Sequence, residues 1–307
     1  MGSSKNLLSQ IHAGNFKALA RAISLVENDS VGGEELLLQL KINYNIPVIG
    51  FTGPPGAGKS SLVNALLRKL SFNGNRVAVI AVDPTSPFNF GSLLGDRIRL
   101  GEHFNNENIF IRSLATRGAL GGLTDKIIEV IDLLRSANFD YIIIETVGVG
   151  QSEVEIAGLA DTTVVVLVPE SGDEVQIMKA GLIEIADVFV VNKADRPDVD
   201  RFVKGLSIMV HEKLNNQWQI PVIKTIAING DGVDELIQQL QNHFSISNQN
   251  NRKSLLITEK VIQIILKYKT RHINREQLLI DIKKEMDKEN FNLYQFVLTK
   301  MIEEKNL

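Results

Sequence analysis

The sequence predicts an α/β fold: a mostly parallel sheet flanked by helices, with helical extensions at the N- and C-terminal ends. Three observations carry this. Most of seven short runs rich in Val, Ile and Thr are continuously apolar rather than alternating, as strands buried on both faces are. Helical patterns fall between most of these runs, the alternation of an open α/β sheet. A glycine-rich turn follows the first run and opens the helix behind it. The 307 residues allow two domains, or one large domain with extensions.

The elements follow in order. Residues 1–45 read as a helical extension. Leu7, Leu8 and Ile11 mark a first helix that stops near Gly14. Phe16, Leu19, Ala20, Ile23 and Val26 recur on one face of a second, closed by Asp29, Ser30 and Gly32-Gly33. Leu36, Leu37 and Leu40 suggest a short third. Residues 46–244 form the main domain, with strands at 47–52, 76–82, 109–112, 141–145, 162–168, 188–192 and 221–227. Helical segments fall near 59–72, 123–137, 151–159, 174–185, 198–215 and 232–243. Residues 245–307 begin with a polar linker, 245–251, and continue as two or three helices. On the last helix Leu293/Tyr294, Val297/Leu298 and Met301/Ile302 repeat every four residues. Such a stripe docks on the body or pairs with a second chain.

Composition narrows the function. With 44% hydrophobic and 22% charged residues, a disordered or fibrous chain is excluded. The absence of cysteine excludes disulfides, thiolate metal sites and cysteine nucleophiles. A net charge of -3 argues against a protein built to grip nucleic acid. That value hides a contrast: the chain from Arg252 onward carries net +4, the remainder net -7. No apolar run approaches the roughly 18 residues of a membrane helix, and no targeting signal stands out, so no membrane partner and a cytoplasmic location are expected. The five histidines are scattered and form no metal-spaced pair.

The strongest motif is Gly53-Pro54-Pro55-Gly56-Ala57-Gly58-Lys59-Ser60, followed by Ser61. It fits the phosphate loop G-x-x-x-x-G-K-[ST] and sits between a strand and a helix, as that loop requires. Its backbone N–H groups can point at phosphate oxygens, aided by the helix N-terminus. Lys59 can neutralise the β and γ phosphates, and Ser60 can place its hydroxyl on Mg²⁺. This makes the expected architecture a P-loop NTPase fold.

Two further segments refine the ligand. Asn192-Lys193-Ala194-Asp195 follows a late strand. Guanine presents N1–H and an amine together, and one carboxylate accepts both, so Asp195 can select GTP over ATP. Lys193 can lay its stem along the base. Tyr141 to Gly148 delivers Glu145 to the sheet edge where ligands bind, placing it to hold Mg²⁺. Gly148 can offer a backbone N–H to the γ-phosphate.

Several runs are more specific. They are 145–153 (Glu-Thr-Val-Gly-Val-Gly-Gln-Ser-Glu), 81–87 (Ala-Val-Asp-Pro-Thr-Ser-Pro), 94–99 (Leu-Gly-Asp-Arg-Ile-Arg), and 115–118 with 120–123. Together they resemble the ArgK/MeaB family of P-loop GTPases, over roughly residues 8 to 240. The resemblance implies a GTPase chaperone that gates cofactor loading and protects an adenosylcobalamin-dependent acyl-CoA mutase, typically methylmalonyl-CoA mutase. It implies a homodimer with C-terminal helices contributing, and Asp96 and Glu145 around Mg²⁺ with Ser60. Asp83 becomes a candidate for orienting metal-bound water, against an Asp-Pro turn. Asp96 is weighed against a simple ion pair with Arg97 or Arg99. Gln151 is a candidate for positioning the attacking water, although it lies three residues past Gly148. Arg117 could be an arginine finger or structural. Residues 169–176 resemble a mobile segment that conveys nucleotide state. Thr225-Ile226-Ala227 takes the place of the loop near guanine, where the Ala227 N–H could meet the guanine carbonyl.

Lys59, Asp83, Glu145 and Gln151 are thus the candidate catalytic residues, with GTP or GDP and Mg²⁺ as cofactors. The competing reading is a transport-associated ATPase or kinase that phosphorylates a lysine/arginine/ornithine binding protein. A GTP-dependent scaffold without turnover is a third.

Overall fold

A computed structural model describes residues 2–83, 100–115, 126–146, 156–169, 181–211, 218–247, 252–287 and 290–305. Three helices open the chain: α1 (Gly2–His12), α2 (Phe16–Glu27) and α3 (Gly33–Leu38). Asn15 caps α2, its side chain accepting from the N–H groups of Lys17 and Ala18. The third helix ends two residues before Leu40, short of the expected end.

Among the described residues seven strands form one sheet: β1 (Val48–Thr52), β2 (Val77–Asp83), β3 (Ile109–Ala115), β4 (Tyr141–Thr146), β5 (Thr162–Leu167), β6 (Val188–Asn192) and β7 (Val222–Thr225). Their order is β3-β2-β4-β1-β5-β6-β7, and every pairing is parallel. Among the described residues the helices of this region are α4 (Lys59–Phe72), α5 (Ile127–Arg135), α6 (Leu182–Ile185), α7 (Val199–His211) and α8 (Val233–Ser247).

The unbroken apolar runs are explained by burial on both faces. Alternate residues of a strand point to opposite sides. Val164, Val166, Val188 and Val190 join one core cluster with Leu62, Leu66 and Leu67 of α4 and Leu236 and Leu240 of α8. Val165, Leu167, Phe189 and Val191 join another with Leu206 and Val210 of α7. Of the N-terminal helices, α2 packs against α5, while Arg112 of β3 pairs with Glu27 at 2.6 Å and Phe16 packs edge-on against Phe110.

Several boundaries differ from expectation. β3 runs to Ala115 because it pairs with β2 along its whole length, up to Asp83↔Ala115. The last strand stops at Thr225, since Ile226 leaves the ladder to bridge Asp231. Of the helical segment expected at 151–159, residues 151–155 lie outside the described residues and Ile156–Gly158 forms a 3₁₀ turn. Residues 245–247, read as linker, continue α8, where the Ser245 hydroxyl donates to the Asn242 carbonyl.

Two compact units are present, Met1–Leu256 and Ile257–Leu307. The second comprises most of α9 (Arg252–Thr270), with α10 (Arg275–Met286) and α11 (Leu293–Lys305). Lys300 of α11 pairs with Asp281 of α10 at 2.8 Å. No residue of α10 is buried, and Leu293, Tyr294, Val297, Leu298, Met301 and Ile302 are all exposed. Among the described residues no helix is long and apolar enough to cross a membrane.

Candidate nucleotide site

In a parallel sheet the carboxyl ends of all strands share one edge. Here β1 lies between β4 and β5; β2, β3 and β4 all lie on one side of it, and the chain crosses after β4 to lay β5, β6 and β7 on the other. A crevice at such a switch point is where open α/β folds bind ligands. The loop 53–58 leaves β1 at this point, and α4 begins at Lys59.

Two glycines of the loop answer to contacts. Gly53 has φ +132°, and a Cβ there would lie 2.1 Å from the Val166 carbonyl oxygen. Gly58 has φ +88°, and a Cβ would lie 2.3 Å from the Asn192 amide nitrogen. Side chains at either position would push the loop off its neighbours. Lys59 is buried, and its Nζ donates to the carbonyl oxygens of Gly53 at 2.7 Å and Pro54 at 3.1 Å. The ammonium group therefore lies inside the curl of the loop. Ser61 is exposed on the first turn of α4.

Beside the loop, the Ser60 hydroxyl donates to Glu145 Oε1 at 2.5 Å. Glu145 pairs with Phe51 across β1 and β4, which sets it one strand away from the start of the loop. Only 4% of Glu145 and 8% of Ser60 is exposed. A buried carboxylate and a hydroxyl form an all-oxygen donor pair suited to a hard divalent cation, so these residues fit Mg²⁺. Behind them the Thr146 hydroxyl donates to Thr52 Oγ1 at 3.3 Å and ties the ends of β4 and β1 together. That pair escaped the sequence reading; its only signal is a threonine ending each of two runs.

The segment 192–195 is bound to the loop directly. Asn192 Nδ2 donates to the Ala57 carbonyl at 2.9 Å, and Lys193 Nζ donates to the Gly56 carbonyl at 2.8 Å. Asn192 Oδ1 accepts from the Thr225 hydroxyl and from the Ala227 N–H, each at 3.1 Å. The side chain of Asn192 thus holds three pieces of protein together. The Ala227 N–H, expected to face a guanine carbonyl, is directed at Asn192 instead. Asp195 is exposed, two residues past Lys193.

Asp83 ends β2 at the same edge, but its side chain lies outside the described residues. Asp96, Arg117, Gly148 and Gln151 also lie outside them, as does most of 169–176. The structure therefore brings together Lys59, Ser60, Glu145, Asn192, Lys193 and Ala227 from four separate chain segments.

Known proteins share this fold and sequence pattern. Residues 19–284 match the family model described as methylmalonyl Co-A mutase-associated GTPase MeaB. A Pyrococcus horikoshii protein with a provisional GTPase name is 46% identical over 244 residues, covering 77% of this chain and 76% of that one. The Escherichia coli GTPase ArgK is 35% identical over 240 residues, covering 75% and 72%. The mouse protein named methylmalonic aciduria type A homolog, mitochondrial, is 38% identical over 245 residues, covering 73% of this chain and 59% of its own. A crystal structure of a LAO/AO transport system kinase superposes with TM-score 0.71 at 25% identity, covering 100% and 93%.

Proposed function

Because the chain belongs to the methylmalonyl Co-A mutase-associated GTPase MeaB family, and so is a P-loop GTPase, we propose a specific cycle for it. It hydrolyses GTP to GDP and phosphate with Mg²⁺, and the cycle gates cofactor loading into, and protects, an adenosylcobalamin-dependent acyl-CoA mutase such as methylmalonyl-CoA mutase.

The observation that carries the guanine reading is the pair of bonds from Asn192 and Lys193 to the loop carbonyls. They fasten the segment bearing Asp195 to the phosphate loop, so base and phosphates are read by one rigid unit. In the reaction, loop N–H groups cradle the phosphates, and Lys59 stabilises charge that develops on the oxygens as water attacks the γ-phosphate. Bound Mg²⁺, held by Ser60 and Glu145 with Asp96, would neutralise the same oxygens. Asp83 and Gln151 are proposed to act on the attacking water, and Gly148 to sense the γ-phosphate.

We assign 1–45 as a helical extension, 46–244 as the GTPase domain and 245–307 as a dimerisation segment. The exposed apolar stripe on α11 supports the last assignment, since contiguous apolar surface of this kind marks an interface. A cytoplasmic location completes the proposal. The mutase role is supported by the family's description and by the mouse relative's name. It is tested by pull-down from native extract with GTP and GDP compared. Nucleotide-dependent capture of an acyl-CoA mutase supports the role, and its absence in both states argues against it.

The whole-chain likeness to a LAO/AO transport system kinase favours one alternative, phosphorylation of a lysine/arginine/ornithine binding protein. Transfer of labelled phosphate to a protein acceptor, rather than to water, would select it.

A further inference from the structure

Helix α4 sends one face into the core through Leu62, Leu66, Leu67 and Leu70. A second face, Ala65, Arg68, Lys69 and Phe72, follows the i, i+3, i+4, i+7 spacing of helical neighbours. It lines an open groove of about 360 Å³, whose other wall is Asn229, Gly230 and Val233 at the start of α8. Ala65 and Val233 are buried and give the groove an apolar base. Phe72 is 88% exposed, and Ile228, next to Asn229, is 84% exposed. Large apolar side chains standing in water beside a concave surface mark a place where another molecule docks.

Charge narrows what that molecule is. Among the described residues, the charged groups lining the groove are Arg68 and Lys69, both cationic. Their carboxylate partners hold them from outside the lining. Arg68 donates to Glu102 from Nε at 2.6 Å and from Nη2 at 2.8 Å. Lys69 Nζ donates to Asp234 at 2.9 Å. All four side chains are at least 42% exposed. Ion pairs this open to water are weak, so an incoming carboxylate competes with them on even terms. A guanidinium and an ammonium also have more N–H donors than these bonds use, and both keep donors for a ligand in the groove.

We propose that this groove docks an acidic segment of a partner protein that carries an apolar anchor residue. The anchor packs on Phe72 over the apolar base, and the flanking carboxylates meet Arg68 and Lys69. Arginine and aromatic side chains together are what the centres of protein interfaces are enriched in. A length of chain suits the surface better than a small anion, because only a ligand that extends past the groove covers both Phe72 and Ile228. The surface is distinct from the nucleotide residues but adjoins them. The N–H groups of Asn229 and Gly230 both bond to the Ile226 carbonyl, and the next residue in that turn, Ala227, donates to Asn192. A partner seated in the groove therefore touches the turn that holds the 192–195 segment.

The test uses the full chain with GDP present, so that the phosphate loop is filled, and reads the fluorescence anisotropy of labelled peptides. The probe is fluorescein-labelled Asp-Glu-Phe-Leu-Asp-Glu. One control peptide replaces its acids with Lys and Arg; the other replaces Phe-Leu with Ser-Ser. The probe should bind about tenfold tighter than either control. Lys69→Glu should weaken it about tenfold and Phe72→Ser about fivefold. GDP affinity should stay within about twofold of wild type in both variants, because the loop is untouched. If Phe72→Ser does not fold, Lys69→Gln replaces it with an expected loss of about threefold. Binding with no preference for the acids or for the anchor overturns the proposal, as does no binding at about 1 mM probe. Probe binding that these variants leave unmoved also overturns it, and places the peptide on another basic surface, such as the helices after Arg252.

Discussion

The side-chain amide of Asn192 donates to the carbonyl oxygen of Ala57 at 2.9 Å, so the end of β6 is hydrogen-bonded to the phosphate loop across 135 residues of sequence. The same side chain accepts from Thr225 and Ala227. Removing it strands one buried acceptor and two donors at once. Asn192→Ala should cost about 3 kcal/mol of folding stability, read by urea unfolding. A loss under about 0.5 kcal/mol would show that these bonds are replaced by water.

Asp195 stands exposed at the end of the segment that Asn192 and Lys193 fasten down. Its carboxylate is assigned to two guanine donors. Asp195→Ala should weaken GTP binding about 30-fold, the scale of a lost charge-assisted pair, and leave ATP binding unchanged. Equal weakening of both nucleotides would place Asp195 in the scaffold rather than at the base.

Glu145 and Ser60 make a buried oxygen pair. Glu145→Gln preserves shape and removes the charge. Its hydrolysis should need about tenfold more Mg²⁺, while GDP binding in chelator stays near wild type. Lys59→Ala should abolish turnover. Retention of more than about a tenth of wild-type turnover in Lys59→Ala would contradict the role given to that ammonium.

Burial lowers the pKa of His103 below the usual histidine value; Glu102 and Asn64 oppose this and Arg68 adds to it. The folded state thus binds this proton less readily than the unfolded chain. Stability is fully present above the ordinary value near 6.5 and falls as pH drops below it. Thermal melts from pH 7.5 to 5 should show a steeper decline in wild type than in His103→Gln. Parallel curves would mean that other groups set the acid limit.

Leu298 and Met301 are exposed members of the α11 stripe. If the stripe is a subunit contact, Leu298→Glu with Met301→Glu should convert a dimer to a monomer in sedimentation experiments. A monomeric wild type would remove the basis for assigning 245–307 to dimerisation.

The strands could be read from the sequence because burial on both faces writes itself as unbroken Val and Ile, as in Val164–Leu167. The phosphate loop could be read because Gly53 beside Val166 and Gly58 beside Asn192 leave no room for a Cβ. Strand ends could not, since Ala115 is held by pairing with Asp83, a partner the local sequence does not reveal. Nor could the extra turn of α8, where polar Ser245 and Ser247 resemble linker but complete a helix. The α11 repeat was visible as periodicity, yet periodicity does not tell a buried stripe from an exposed one. The inward use of Asn192 was hidden for a similar reason: a motif names residues but not which atoms are already engaged.

The central claim, that this loop and the 192–195 segment form one guanine-nucleotide site, is tested most directly by calorimetry. Full-length protein with Mg²⁺ should bind GTP and GDP and give no comparable heat with ATP. Tight ATP binding with no GTP binding would contradict the account.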